Sequence, residues 1–294
     1  MSGSDLKPRV VSGVVALLLV LPILVSGDFL WVSALAFLAA CWALHELVTM
    51  AMPEQRITAF PLVVLLGVGF FASAAFSTTE GGIPGLAVLR EAGLDPILLL
   101  VLLTVMLSSA YFVTTARSTE GQADRWAHFV LAPPYAAATL GLLPAIVVLE
   151  EGRFWLWAPL VVAWCGDIGG YFAGRAFGKH TMHGVLSPKK TWDGFFGGIV
   201  LAVVGVLAFK LLAFDPFSGA AMTFLDCVVL GVAGGTAGVL GDLVASMIKR
   251  NHGVKDSGRF LPGHGGMLDR IDALLFVVPI VWIWLVVLRP MVPA

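Results

Sequence analysis

Nine runs of mainly apolar residues follow one another along the chain, at 10–27, 29–51, 58–79, 95–115, 127–149, 154–174, 193–214, 225–248 and 271–289. No other feature restricts the fold as much. A helix needs about 20 such residues to cross the hydrocarbon core of a bilayer. Only helices and closed barrels satisfy their own backbone groups there. Prolines inside the runs (Pro22, Pro61, Pro133, Pro134, Pro159 and Pro279) are tolerable where neighbouring helices re-satisfy the freed carbonyls. Charged residues make up 13% of the chain, half the roughly 25% of a soluble domain. The expectation is an all-α, polytopic integral membrane protein with about nine transmembrane helices, which excludes a soluble enzyme built on one large core.

Loop charge orients those spans. With nine of them, the N-terminus and the even-numbered loops share a side. That side carries Lys7, Arg9, Arg56, Arg117, Arg125, Arg175, Lys179, Lys189, Lys190, Lys249, Arg250, Lys255, Arg259 and Arg270; the other carries Arg90, Arg153, Lys210 and Arg289. A split of 14 to 4 puts the N-terminus in the cytoplasm and the C-terminus outside. Lys7 and Arg9 before the first run resemble a signal peptide, but no small-residue cleavage site follows, so the run reads as a retained anchor. Cys41, Cys165 and Cys227 stand far apart without a CxxC and read as small buried side chains, not a disulfide framework. No internal repeat is visible, which disfavours an inverted-repeat transporter. Residues 1–150 read as a scaffold of lipid-facing and dimerisation helices, and 151–294 as a catalytic half with cytoplasmic loops.

The chemistry-bearing residues gather in that second half. Asp167 stands inside an apolar run, at a cost of about 2.5–3.5 kcal/mol on insertion scales, so it should face a protein interior or a cavity. Gly170, Tyr171, Gly174 and Arg175 follow on the same helix face. In Ser187-Pro188-Lys189-Lys190-Thr191-Trp192-Asp193, two lysines precede a helix N-terminus that Thr191 or Ser187 would cap, an arrangement suited to an anion. Asp242, Ser246, Lys249 and Arg250 fall on one stripe at the cytoplasmic end of a helix. In Leu261-Pro262-Gly263-His264-Gly265-Gly266-Met267-Leu268-Asp269-Arg270-Ile271-Asp272, the glycines form a candidate anion-binding nest. His264 there is either a loop histidine bonded to backbone or a phosphate contact. Asp269 and Asp272, three apart, are oxygen ligands of the kind Mg²⁺ shares with a substrate phosphate.

Ser246 to Asp272 resembles the signature of the phosphatidate cytidylyltransferase (CDP-diacylglycerol synthase) family, and every fixed position of that pattern is met. The stretch Gly166 to Lys179, the S-P-K-K-T-W segment and W-A-L-H-E-L with Glu46 resemble the family too. The chain departs from it at Asp193 and Ala273, where the family usually has Glu and Ser, and at Ala245, where it commonly has Glu. The resemblance implies a multi-span enzyme of the cell membrane that uses CTP, phosphatidic acid and Mg²⁺ on its cytoplasmic side, as a homodimer and with no nucleic-acid partner; whether a second cation takes part stays open. It makes Asp242 and Asp269 the expected metal pair. It adds Lys255 and Asp256 to Lys249 and Arg250 as catalytic residues, with Lys189, Lys190 and Arg270 on the phosphates.

Two rivals are kept. A CTP-dependent kinase of a polyprenol or other lipid alcohol would need a base, for which Asp256 is the candidate, and would release CDP. A non-enzymatic lipid transporter predicts polar residues at mid-membrane in both halves, whereas here they collect at one face.

Overall fold

The computed structural model describes residues 6–78, 95–116, 118–219, 221–260 and 265–289, with side chains from Gly13 onward, Ala16 excepted. Each apolar run forms a helix: α1 (Leu6–Ser26), α2 (Phe29–Ala51), α3 (Arg56–Ala75), α4 (Pro96–Thr115), α5 (Gln122–Val147), α6 (Gly152–Phe177), α7 (Trp192–Phe217), α8 (Phe224–Asn251) and, after a short α9 (Leu268–Ile271), α10 (Leu274–Leu288). Among the described residues seven of these, α2 to α8, are long and apolar enough to cross a membrane; the expected count of about nine included α1 and α10 as well. Helix α10 is shorter, and so is Gly13–Ser26, the apolar stretch of α1 from which side chains are described. In the last run the turn at Asp272 and Ala273, where Asp272 Oδ1 accepts from Ala273 N at 2.9 Å, separates α9 from α10.

Local chemistry fixes several helix ends. Asp28 and Asp95 cap α2 and α4, each carboxylate accepting two backbone N–H groups of the first turn. Pro133 and Pro134 fall where α5 widens into a π-type turn over Pro133–Ala138, one way a spanning helix accommodates missing N–H donors. Helix α8 ends in a Schellman turn: Val254 N donates to Lys249 O, Gly253 N donates to Arg250 O, and Gly253 takes φ +68°, a left-handed conformation that suits glycine.

Two large apolar cores hold most of the helices together, and a smaller one of Leu24, Val32, Leu156 and Leu160 joins α1, α2 and α6. Of the large ones, one joins α2, α3 and α5 with Leu268, Ile271 and Leu275. The other joins α6, α7 and α8 with Val277, Val278 and Val281 of α10, so the last helix is packed into both. At its far end α10 is tied down by buried Asp226, which accepts from Trp284 Nε1 at 2.9 Å and pairs with Arg289 at 3.0 Å. Among the described residues the cysteines are unbridged; Cys227 is buried, while Cys41 and Cys165 are only partly so, against the expectation.

One short sheet interrupts the helices. Thr181–His183 (β1) and Ser187–Thr191 (β2) pair antiparallel, with Thr181 opposite Thr191 and His183 opposite Ser187. The lysine segment before α7 is thus an edge of a hairpin and not a free loop.

Candidate active site

Four elements, α6, β2, α8 and α9, bring the charged residues together, and glycine decides how closely. Helices α6 and α7 approach backbone to backbone: a Cβ on Gly169 would lie 2.6 Å from Gly197 O, and one on Gly198 2.8 Å from Gly166 O. The glycines after Asp167 are thereby explained by packing, and the aspartate is not. Thr191 caps α7, its Oγ1 accepting from Gly194 N at 3.1 Å. Asp193 Oδ2 accepts from Lys179 N at 3.0 Å and ties the first turn of α7 to the segment just after α6. Helix α8 meets the turn after α9 at Gly241, where a Cβ would fall 2.4 Å from Asp272 O.

The result is one cavity of about 540 Å³ at a single end of the spanning helices. It is lined by Asp167 and Tyr171 of α6, Lys189, Lys190 and Thr191 of β2, Asp242, Lys249 and Arg250 of α8, Lys255 and Asp256 beyond it, and Asp269, Arg270 and Asp272. Lys190 Nζ sits 2.6 Å from Asp242 Oδ2, and Lys249 Nζ sits 2.7 Å from Asp269 Oδ1. Ser246 does not line the cavity; it is buried behind it, its Oγ donating to Asp242 Oδ1 at 3.3 Å.

The turn that carries Asp269 is seated on a carboxylate from the other half of the chain. Glu46 of α2, 4% exposed, accepts from Met267 N and Leu268 N, both at 2.9 Å, and from Ser257 Oγ at 2.7 Å. A Cβ on Gly266 would collide with Ser257 Oγ and both oxygens of Glu46, and Gly265 holds φ +87°. Asp269 Oδ2 collects Ser257 N at 2.9 Å, Gly266 N at 3.0 Å and Ser257 Oγ at 3.1 Å. Burial pushes the Asp269 carboxyl up, but the Lys249 ammonium and the two backbone N–H groups outweigh it and hold it below the usual carboxylate range. The described part of the glycine nest is thus filled by the chain's own carboxylate.

Four further residues picked out from sequence lie off the cavity wall. Arg175 donates to Tyr171 Oη at 2.9 Å, Ser187 begins β2, and Gly265 and Gly266 shape the turn behind Asp269. Gly263 and His264 lie outside the described residues. Spacing missed Ser257, and it also missed Met182 and Phe195, which line the cavity. Glu46 carried a signal, an acid inside an apolar run, but nothing local said what it would hold.

Five aspartates with hard oxygen donors line the cavity, a donor set that could hold Mg²⁺ or a similar hard cation; Asp242 and Asp269 are each held against a lysine ammonium. The cations around them suit phosphate groups. Fold and site together define a membrane-embedded enzyme whose pocket is built for phosphate chemistry beside the bilayer. The chain belongs to the cytidylyltransferase family, whose model matches residues 7–288. It is 32% identical over 286 residues to the phosphatidate cytidylyltransferase of Staphylococcus epidermidis, covering 96% of this chain and 99% of the relative. It is likewise 32% identical over 281 residues to that of Bacillus subtilis, covering 95% and 97%. The phosphatidate cytidylyltransferase of Mycobacterium bovis is 31% identical over 296 residues, covering 98% and 90%.

Proposed function

We propose that the chain is a phosphatidate cytidylyltransferase, making CDP-diacylglycerol and pyrophosphate from CTP and phosphatidic acid at the cytoplasmic face of the cell membrane. The observation that carries this reading is the convergence of Asp242, Asp269, Lys190 and Lys249 in one cavity from three separate elements. The names of the full-length relatives support the substrates.

A phosphate monoester, with a second pKa of about 6, is largely ionised at neutral pH. Its oxygen therefore attacks the α-phosphorus of CTP without a general base. A P–O bond forms there as the bond to the β-phosphate bridge breaks, and pyrophosphate leaves with the electron pair. Such a transfer needs charge neutralisation and in-line positioning. Lys189, Lys190, Arg250, Lys255 and Arg270 supply cations along the cavity wall, and Lys249 is held in place by Asp269. When bound, Mg²⁺ held by Asp242 and Asp269 would add charge neutralisation on the phosphate oxygens. Tyr171 and Phe195 line the cavity, and their neighbours Phe172 and Phe196 are exposed on the same helices. That side is where the acyl chains would stay in the bilayer. A homodimer belongs to the same reading and is tested by the mass of the detergent-solubilised protein.

The deciding experiment incubates purified protein with labelled CTP, Mg²⁺ and phosphatidic acid. Labelled CDP-diacylglycerol and pyrophosphate are expected, with Asp269→Asn slower by about 10²-fold or more, as for loss of one charge-stabilising group. Release of CDP with a phosphorylated lipid, or full activity in Asp269→Asn, would overturn the assignment.

A further inference from the structure

A second polar cluster lies apart from the cavity. Asp124 and His128 occupy the first two turns of α5, and His252 is the C-cap of α8, fixed by the Schellman turn. One ligand atom from each of the three lies within 4.8 Å of the other two, and none of the three lines the cavity. The hydrogen bonds fix the tautomer of His128. Its Nδ1 is 2.8 Å from the backbone oxygen of Asp124, which can only accept, and 3.5 Å from Asp124 Oδ1, so Nδ1 carries a proton and, in the neutral ring, Nε2 presents a lone pair. That lone pair faces His252 Nε2 at 3.2 Å, with the rings 4.7 Å apart and steeply inclined. A histidine that donates its Nδ1–H to a backbone carbonyl while aiming Nε2 at a neighbour is the usual posture of a metal ligand. A tetrahedral Zn²⁺ with bonds of about 2.0–2.1 Å holds its nitrogens about 3.3 Å apart, which matches the spacing found.

We infer that Asp124, His128 and His252 form a binding site for a borderline divalent transition-metal ion of the Zn²⁺ class, clipping the start of α5 to the end of α8. Imidazole nitrogens favour such ions over Mg²⁺, so the site differs in preference from the aspartates of the cavity. Three protein ligands leave a fourth position for water. The ion would fasten the N-terminal half of the chain to the helix end that carries Lys249 and Arg250. The site stands or falls separately from the proposed reaction, because it shares no residue with it.

The test uses the full chain, free of any histidine tag, in detergent and stripped with a chelator. Zn²⁺ retained after desalting is counted by elemental analysis, and Co²⁺ is titrated while its visible absorption is followed. One ion per chain is expected in the presence of excess Mg²⁺, both in wild type and in Asp269→Asn. His128→Ala and His252→Ala should each weaken binding by about tenfold or more, and Asp124→Asn should weaken it too. Zn²⁺ should also raise the thermal midpoint of wild type but not of the His252 variant. Should His128→Ala not fold, His252→Gln, at a helix end, carries the same comparison. No retained Zn²⁺ in wild type, or retention equal in the histidine variants and lost in Asp269→Asn, overturns the site.

Discussion

Glu46 illustrates how one side chain governs a distant turn. Its carboxylate is buried and takes a hydroxyl and two backbone N–H groups from residues more than 200 positions away. Leaving such donors buried without a partner costs about 1–3 kcal/mol each. Glu46→Ala should therefore lower stability by about 2–5 kcal/mol, read as a lowered melting temperature in detergent, and should abolish turnover by releasing Asp269. Glu46→Gln keeps an acceptor and should melt closer to wild type. Lys190 makes a different kind of contact: it is partly exposed and ion-paired to Asp242. Lys190→Ala should leave the stability within about 1 kcal/mol of wild type, read as a nearly unchanged melting temperature, since such pairs contribute little to stability, while turnover with CTP falls by about tenfold or more. A drop in melting temperature matching that of Glu46→Ala would show the pair to be structural instead.

Among the elements, the α6–α7 pair depends on the absence of side chains. A Cβ at Gly169 would meet a backbone oxygen at 2.6 Å, which no rotamer change relieves. Gly169→Val should push the helices apart at a cost of about 1–3 kcal/mol, in line with overpacking elsewhere, and displace Asp167 from the cavity. Gly184, in the hairpin turn, has open space where a Cβ would go. Gly184→Ala should stay within about 0.5 kcal/mol of wild type, the range of ordinary surface changes. Equal melting curves for the two variants would refute the packing argument.

Taken as one body, the protein has its candidate active site at one end of the spanning helices, and the proposed topology puts that end in the cytoplasm. Val185 in the hairpin and Phe217 at the far end of α7 are both exposed. They flank a single 26-residue span, Trp192–Phe217. In a chain without native cysteines, Val185→Cys should react with an impermeant maleimide only from the cytoplasmic side, and Phe217→Cys only from outside. The reverse pattern would invert the topology and remove the site from cytosolic CTP. We propose the division at residue 150 as scaffold and catalytic half, with Glu46 as the residue by which the first supports the second.

Hydropathy and charge are properties of consecutive residues, so the chain's embedding in a membrane and its run of helices were legible from the order of amino acids alone. The stripe of Asp242, Ser246, Lys249 and Arg250 was legible for the same reason, since helical spacing is local. What no local pattern holds is which distant groups meet. Packing of α8 against α10 and of α6 against α7 set Lys190 on Asp242 and Lys249 on Asp269, and it brought His252 to His128, 124 residues away. The same packing turned the glycines around Asp167 into helix contacts and gave the buried Glu46 its partners. Those distances are set by side-chain volumes and backbone approach across helices, and only the folded chain determines them.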